Sequence, residues 1–186
     1  MSRYKLRLTL TLSLSVLILG YWGFSEHRHP VTDATTGALD GEIDAYIENT
    51  RMVDYDPSGL PARTLIAERI EHHERQDITR LSAPDITWVR ANGTPLQISA
   101  RRGQVRGSDE QIRLQQQVVI TDRARADYRL ETPSLTLNPN RDYGETDAPV
   151  HIFHGTGETR AIGMRLFMDE DRVELLQRVR GTHDPK

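Results

Sequence analysis

Residues 100–120 read ARRGQVRGSDEQIRLQQQVVI, and this stretch decides the fold. A small residue, Ala100, is followed three positions on by Gly103 and two further by Val105. A polar turn at Ser108-Asp109 and a second apolar run over 112–120 come next. The same spacing returns as Ala67-Ile70-His72, Thr132-Leu135-Leu137 and Gly163-Leu166-Met168, with copies starting 31 to 33 residues apart. A period of that length, punctuated by turns and alternating runs, reads as one β-meander used repeatedly. Stacked hairpins of this kind suit a scaffold or a carrier better than an enzyme.

Working outward, the turn chemistry agrees. Asp56-Pro57-Ser58-Gly59 places Pro second and Gly fourth, Asn92-Gly93 is the strongest short hairpin signal, and Asn138-Pro139-Asn140, Gly155-Thr156-Gly157 and Asp169-Glu170-Asp171 fill similar roles. Between them lie alternating runs over 78–89, 96–105, 112–120, 130–137, 150–153 and 164–168. Residues 173–179 fit a short helix or a strand, and their place in the fourth repeat favours the strand. A repeated meander without closure signals gives an all-β, curved open sheet or flattened roll with two exposed edges, usable for strand addition.

Composition bounds the alternatives. The chain has 186 residues, room for one modest domain, with 27% charged and only 6% aromatic residues, so its apolar surface comes mostly from Leu, Ile and Val. The formal charge of −3 and the absence of a basic stripe interleaved with aromatics argue against a nucleic-acid partner. With no cysteine there is no disulfide, thiolate metal site, cysteine nucleophile or lipobox.

At the N-terminus, Arg3, Lys5 and Arg7 precede an uncharged stretch over 8–24. As a helix it spans roughly 25 Å, close to the hydrocarbon thickness of a bilayer. A cleaved signal peptide and a buried strand are the alternatives, the latter because Leu alternates with Thr and Ser over 8–15. The sequence Tyr21-Trp22-Gly23-Phe24 lacks a processing site and supplies interfacial aromatics instead, which favours an uncleaved anchor. The basic front end places the N-terminus in the cytoplasm and the bulk of the chain across the membrane, in the periplasm of a bacterium. The expected organisation is a tip and transmembrane helix over 1–24, a linker over 25–42 and a β domain over 43–186.

The basic tip, single anchor, spacer, Tyr55-Asp56-Pro57-Ser58-Gly59 turn, the stretch Leu65-Ile66-Ala67-Glu68-Arg69-Ile70-Glu71-His72 and Ala83-Pro84 before a run of strands together resemble the LptC family. The resemblance covers nearly the whole chain. It implies an open β-jellyroll of the OstA-like kind, and no enzymatic activity or cofactor. The implied function is to receive lipopolysaccharide from an inner-membrane ABC transporter of the LptB/LptF/LptG type and pass it to a periplasmic bridge protein of the LptA type. Carried over, residues 50–55 form the transporter-side edge and 164–179 the bridge-side edge. Tyr55 and Gly59 then belong to the first contact, and Gly163, Met164, Val173, Leu175 and Val179 to the second. Gly163→Arg is expected to weaken assembly and leave the domain folded. Edge pairing also permits a homodimer.

A lipid with several acyl chains needs a long apolar trough, and a repeat sheet with one apolar face supplies it. The candidate lining residues are Thr50, Met52, Ile70, Leu81, Ile86, Trp88, Ile98, Leu114, Val118, Leu135, Leu137, Ile152 and Leu166; each serves equally as plain core, and one bulge flips every later side chain. An adaptor that uses strand addition without carrying lipid shares the fold and differs only in the trough. The enzyme reading finds little: His72-His73 and His151/His154 have spacings that point to opposite strand faces, and neither a nucleophile elbow nor a phosphate loop is present.

Overall fold

A computed structural model describes residues 43–107 and 111–183. The expected anchor (1–24) and linker (25–42) and the Ser108-Asp109 turn lie outside the described residues; among those described, no helix is long and apolar enough to cross a membrane. Among the described residues eleven antiparallel strands form one sheet: β1 (Ala45–Tyr55), β2 (Pro61–His73), β3 (Ile78–Ser82), β4 (Asp85–Val89), β5 (Pro95–Ser99), β6 (Arg102–Arg106), β7 (Ile112–Asp122), β8 (Arg125–Asn138), β9 (Tyr143–His154), β10 (Gly157–Phe167) and β11 (Arg172–His183). They make nine passes, because β3 with β4 is one pass broken at Ala83-Pro84 and β5 with β6 is another broken at Ala100-Arg101. The 173–179 segment is strand, as its repeat position required.

The passes bend at a common level. Left-handed backbone marks the bend at Asn49, Ala83, Gln116-Gln117, Gly163 and Arg178, and the ladder register slips at Gln115/Val118, Glu131/Thr136 and Ile162/Met164. Prolines with no N–H to pair stand at the bend in β8 (Pro133) and β9 (Pro149). Each extra residue bends its strand sharply. The sheet therefore divides into two halves. Half-sheet I, on the side of the β1–β2 turn, holds β4 and β5; half-sheet II, on the side of the β10–β11 turn, holds β3 and β6; the longer strands contribute a segment to each.

The repeat in the sequence is the signature of that bend. Ala67, Ala100 and Thr132 face the interior in half-sheet I, the step of three crosses the bulge and keeps Ile70, Gly103 and Leu135 facing inward in half-sheet II, and the step of two continues the same face. In the fourth copy the structure moves the frame by two residues. Ala161 pairs with Val150 and is buried, and the inward step of three runs from Ala161 to Met164, so Gly163 is the bulge residue rather than the first member. The larger core cluster joins Ile86, Trp88, Leu96, Ile98 and Ile120 of half-sheet I to Leu114, Leu135, Leu137 and Met164 of half-sheet II, and a smaller one gathers Ala67, Ile70 and Leu81, with Leu65 and Ile112 against both. Arg63 lies over the Trp88 ring at 5.1 Å and donates from Nη1 to the Pro139 carbonyl at 2.5 Å, tying the rims together on the N-terminal side.

Candidate functional site

The inner face of the folded sheet is the surface on which the candidate trough residues fall. Ile98, Leu114, Val118, Leu135 and Leu137 are at most 1% exposed, and Ile70, Leu81, Ile86, Trp88 and Leu166 are also buried. The middle of the trough is thus packed solid. Three candidates keep free surface: Met52 is 52% exposed, Thr50 is half-buried, and Ile152 is half-buried beside two cavities. Met52 pairs with Leu65 and Thr50 with Ala67, so both continue the inner face onto the edge strand β1.

Ile47, absent from the candidates, belongs with them: it pairs with the buried Ile70 and is 58% exposed. Its signal was available, since Ile47-Thr50-Met52 carries the same step of three and then two. At the other edge, Val173 pairs with Leu166 and Leu175 with Met164, half-buried on the same face, and Val179 is exposed. One apolar face therefore runs from Ile47 and Met52 on β1 to Val173 and Leu175 on β11, open at both ends and filled between.

Two cavities open toward the C-terminal side. One of about 220 Å³ lies between the half-sheets, lined by Leu96, Ile120, Leu130, Ile152, Leu166 and Leu175, with Tyr128, Arg90, Asp122, Arg125 and Asp171 at its polar end. The other, about 330 Å³, includes Ile152, Thr159 and Gly181. A larger depression of about 870 Å³ sits along the bend and is bordered by the exposed Arg101, Arg129 and Arg160 together with Ala100, Val118 and Val150.

The polar end of the 220 Å³ cavity is organised by charge. Arg90 Nη2 lies 3.0 Å from Asp122 Oδ1, and Arg125 Nε lies 3.1 Å from Asp122 Oδ2. Burial by itself would raise the Asp122 carboxyl; the Ala124 amide, Arg90 and Arg125 outweigh it and hold the group below the ordinary carboxylate value. Burial, foremost, raises the Tyr128 hydroxyl. None of these polar side chains was legible from spacing, because each sits beside a turn where alternation gives no orientation.

The partner candidates separate by location. Tyr55, 64% exposed, ends β1, and Gly59 closes the following turn at φ +83, where the Asp56 carboxylate accepts from the Ser58 and Leu60 amides at 2.8 and 2.9 Å. The C-terminal free edge is β11; Gly163 and Met164 lie on β10, which is paired on both sides, and Met164 has no exposed surface. The edge expected over 164–179 is corrected accordingly to Arg172–His183. Among the described residues no strand pairs with the outer edges of β1 and β11, and such backbone groups are templates for a further strand.

A family model described as "Lipopolysaccharide-assembly, LptC-related" matches residues 10–184. No curated protein matches the chain. Among solved structures, the chain is similar to LptH, the LptA-homologous periplasmic component of the conserved lipopolysaccharide transport device from Pseudomonas aeruginosa. The two share 7% identity with a TM-score of 0.49, over 66% of this chain and 95% of that one.

Proposed function

Because the chain belongs to the LptC-related family of lipopolysaccharide-assembly proteins, non-enzymatic components of lipopolysaccharide transport, we propose that it is the relay that takes lipopolysaccharide along its inner face. The observation that carries this reading is the continuity of that face from one free edge to the other, with Ile47 and Met52 open at the start and Val173 and Leu175 at the end. Each acyl methylene moved from water onto such a face contributes about 0.8 kcal/mol. A row of similar apolar positions holds a chain while letting it slide, since no single contact dominates.

In this reading β1 docks on an inner-membrane ABC transporter subunit and β11 on a periplasmic bridge protein, each by strand addition, so that successive inner faces join. Family members are inner-membrane-anchored periplasmic proteins; for this chain residues 8–24 supply a single-pass anchor with the N-terminus in the cytoplasm. A homodimer through either edge follows from the same chemistry when partners are absent.

The experiment is photo-crosslinking in cells from Met52 and Ile152, with the outward-facing, exposed Gln115 as control. Lipopolysaccharide adducts at the two inner positions and not at Gln115 are expected. If neither inner position yields an adduct while both partners still co-purify, the relay reading fails and an adaptor that carries no lipid replaces it.

A further inference from the structure

The rim where the half-sheets meet on the C-terminal side carries a ring of alternating charges. Arg90 follows β4, Asp122 ends β7 and Arg125 opens β8, all on half-sheet I; Asp171 stands in the β10–β11 turn on half-sheet II. Asp122 accepts from Arg90 and forms an ion pair with Arg125, while Asp171 accepts from both arginines. Asp171 reaches in from the facing rim, with Oδ1 on Arg90 Nη1 and Oδ2 2.7 Å from Arg125 Nη2. Its carboxylate is the one member of the ring supplied by half-sheet II.

The ring is unevenly wetted. Arg90 and Asp122 side chains are 4% and 1% exposed, whereas Asp171 and Arg125 are 39% and 45% exposed. Exposed ion pairs hold weakly, and a buried arginine that keeps a buried carboxylate partner stays satisfied. Releasing Asp171 therefore opens the cross-rim contact without orphaning Arg90, which retains Asp122. Directly behind the ring lies the cavity of about 220 Å³ with its apolar lining. That volume falls below the roughly 300–1,000 Å³ typical of ligand sites, and a lipid with several acyl chains needs more. The bend runs along the opposite side of the half-sheets, so they part at this rim.

We infer that Asp171 is a latch: while it bridges Arg90 and Arg125 the trough is closed on its C-terminal side, and its release lets the half-sheets part so that an acyl chain of a glycolipid enters the cavity sideways. This gating rests on the relay reading. It makes entry between the half-sheets, rather than threading from an end, the step that the charge ring controls.

The cysteine-free chain permits a direct test. Spin labels placed by Ala91→Cys and Glu170→Cys on the two rims report their separation in the full-length protein, and stopped-flow uptake of fluorescently labelled lipopolysaccharide reports loading. Asp171→Asn preserves side-chain shape and removes the charge; Arg125→Gln removes the other exposed member and leaves the Arg90–Asp122 pair. Asp171→Asn is expected to broaden the rim distance and to load two- to fivefold faster, and Arg125→Gln, in which Asp171 keeps Arg90, to shift both in the same direction by less. An unchanged rim distance in both folded variants overturns the latch. If wild type takes up the probe and the widened variants load no faster, the latch is refuted and the relay stands. If the rim widens but no form takes up the probe, the relay reading itself falls and the gating role with it.

Discussion

Gly163→Ala isolates what the bend costs. Gly163 has φ +79, a region in which an L-residue is strained, and an added Cβ would lie 3.0 Å from Leu176 Cδ1 and 3.3 Å from Leu176 Cβ on β11. The left-handed backbone costs an L-residue about 1–2 kcal/mol, more than the gain from a stiffer unfolded chain. Leu176 is 41% exposed and has room to turn aside, so its displacement adds only about 0.5 kcal/mol. For a domain of this size the total corresponds to a Tm lower by roughly 4–8 °C.

Urea and thermal unfolding followed by circular dichroism measure the loss, and the double variant with Leu176→Ala divides it into backbone and crowding parts. A shift smaller than about 1 °C would refute the assignment of Gly163 as the obligatory left-handed position of β10, as would full recovery on truncating Leu176. The same arithmetic constrains Gly163→Arg. Arginine carries the alanine's backbone cost and must also pass Leu176, so loss of a partner reports on docking only where Tm falls no further than in Gly163→Ala.

Two further outcomes follow from the core and the charge ring. Leu135→Ala, at a position 1% exposed between the half-sheets, is expected to cost about 3–4 kcal/mol in urea unfolding, and a loss below 1 kcal/mol would show that the interior is not packed as described. Asp122→Asn is expected to cost about 3 kcal/mol at pH 7, at the low end for a broken buried pair because Arg90 keeps Asp171. The Asp122 carboxyl is depressed in the folded state, so its contribution is fully present above the unfolded value of 3.8 and fades as pH falls through the lower folded value. The difference between wild type and Asp122→Asn should therefore shrink below about pH 3.8; a constant difference down to the acid limit would contradict that ionisation.

Much of the architecture was readable because a bulge leaves a mark in spacing. A strict two-residue alternation would send Ile70 to the opposite face from Ala67; the step of three, repeated at Ala100 and Thr132, records that an extra residue sits at each bend. The fourth copy was framed two residues late because glycine satisfies a small-residue template while here it supplies a left-handed φ, and the true inward small residue, Ala161, lies just before it. Turn signals such as Asn92-Gly93 located hairpins for a local reason: the Asn92 carboxamide accepts from the Thr94 amide and hydroxyl. Depth was not legible. Leu114 and Met52 look alike in an alternating run, yet one is sealed and the other half open, and the difference is set by whether a facing half-sheet covers that pass. Arg90 was equally hidden, since a charged residue next to a turn is ordinarily solvated.

Every pass in this sheet pairs its backbone only with the passes before and after it in the chain, so the order of the ladder is the order of the sequence. The backbone ladder is therefore a one-dimensional array of nearest-neighbour pairs, closed over by the packing of one half-sheet on the other. Its two ends are interrupted versions of its middle: the seam that β11 offers to another chain is made of the same backbone ladder that joins β10 to β9. A chain added there extends the array by one more step of a pattern already present. On the relay reading proposed above, the length of a conduit built this way is a question of how many molecules join, with no new kind of joint required.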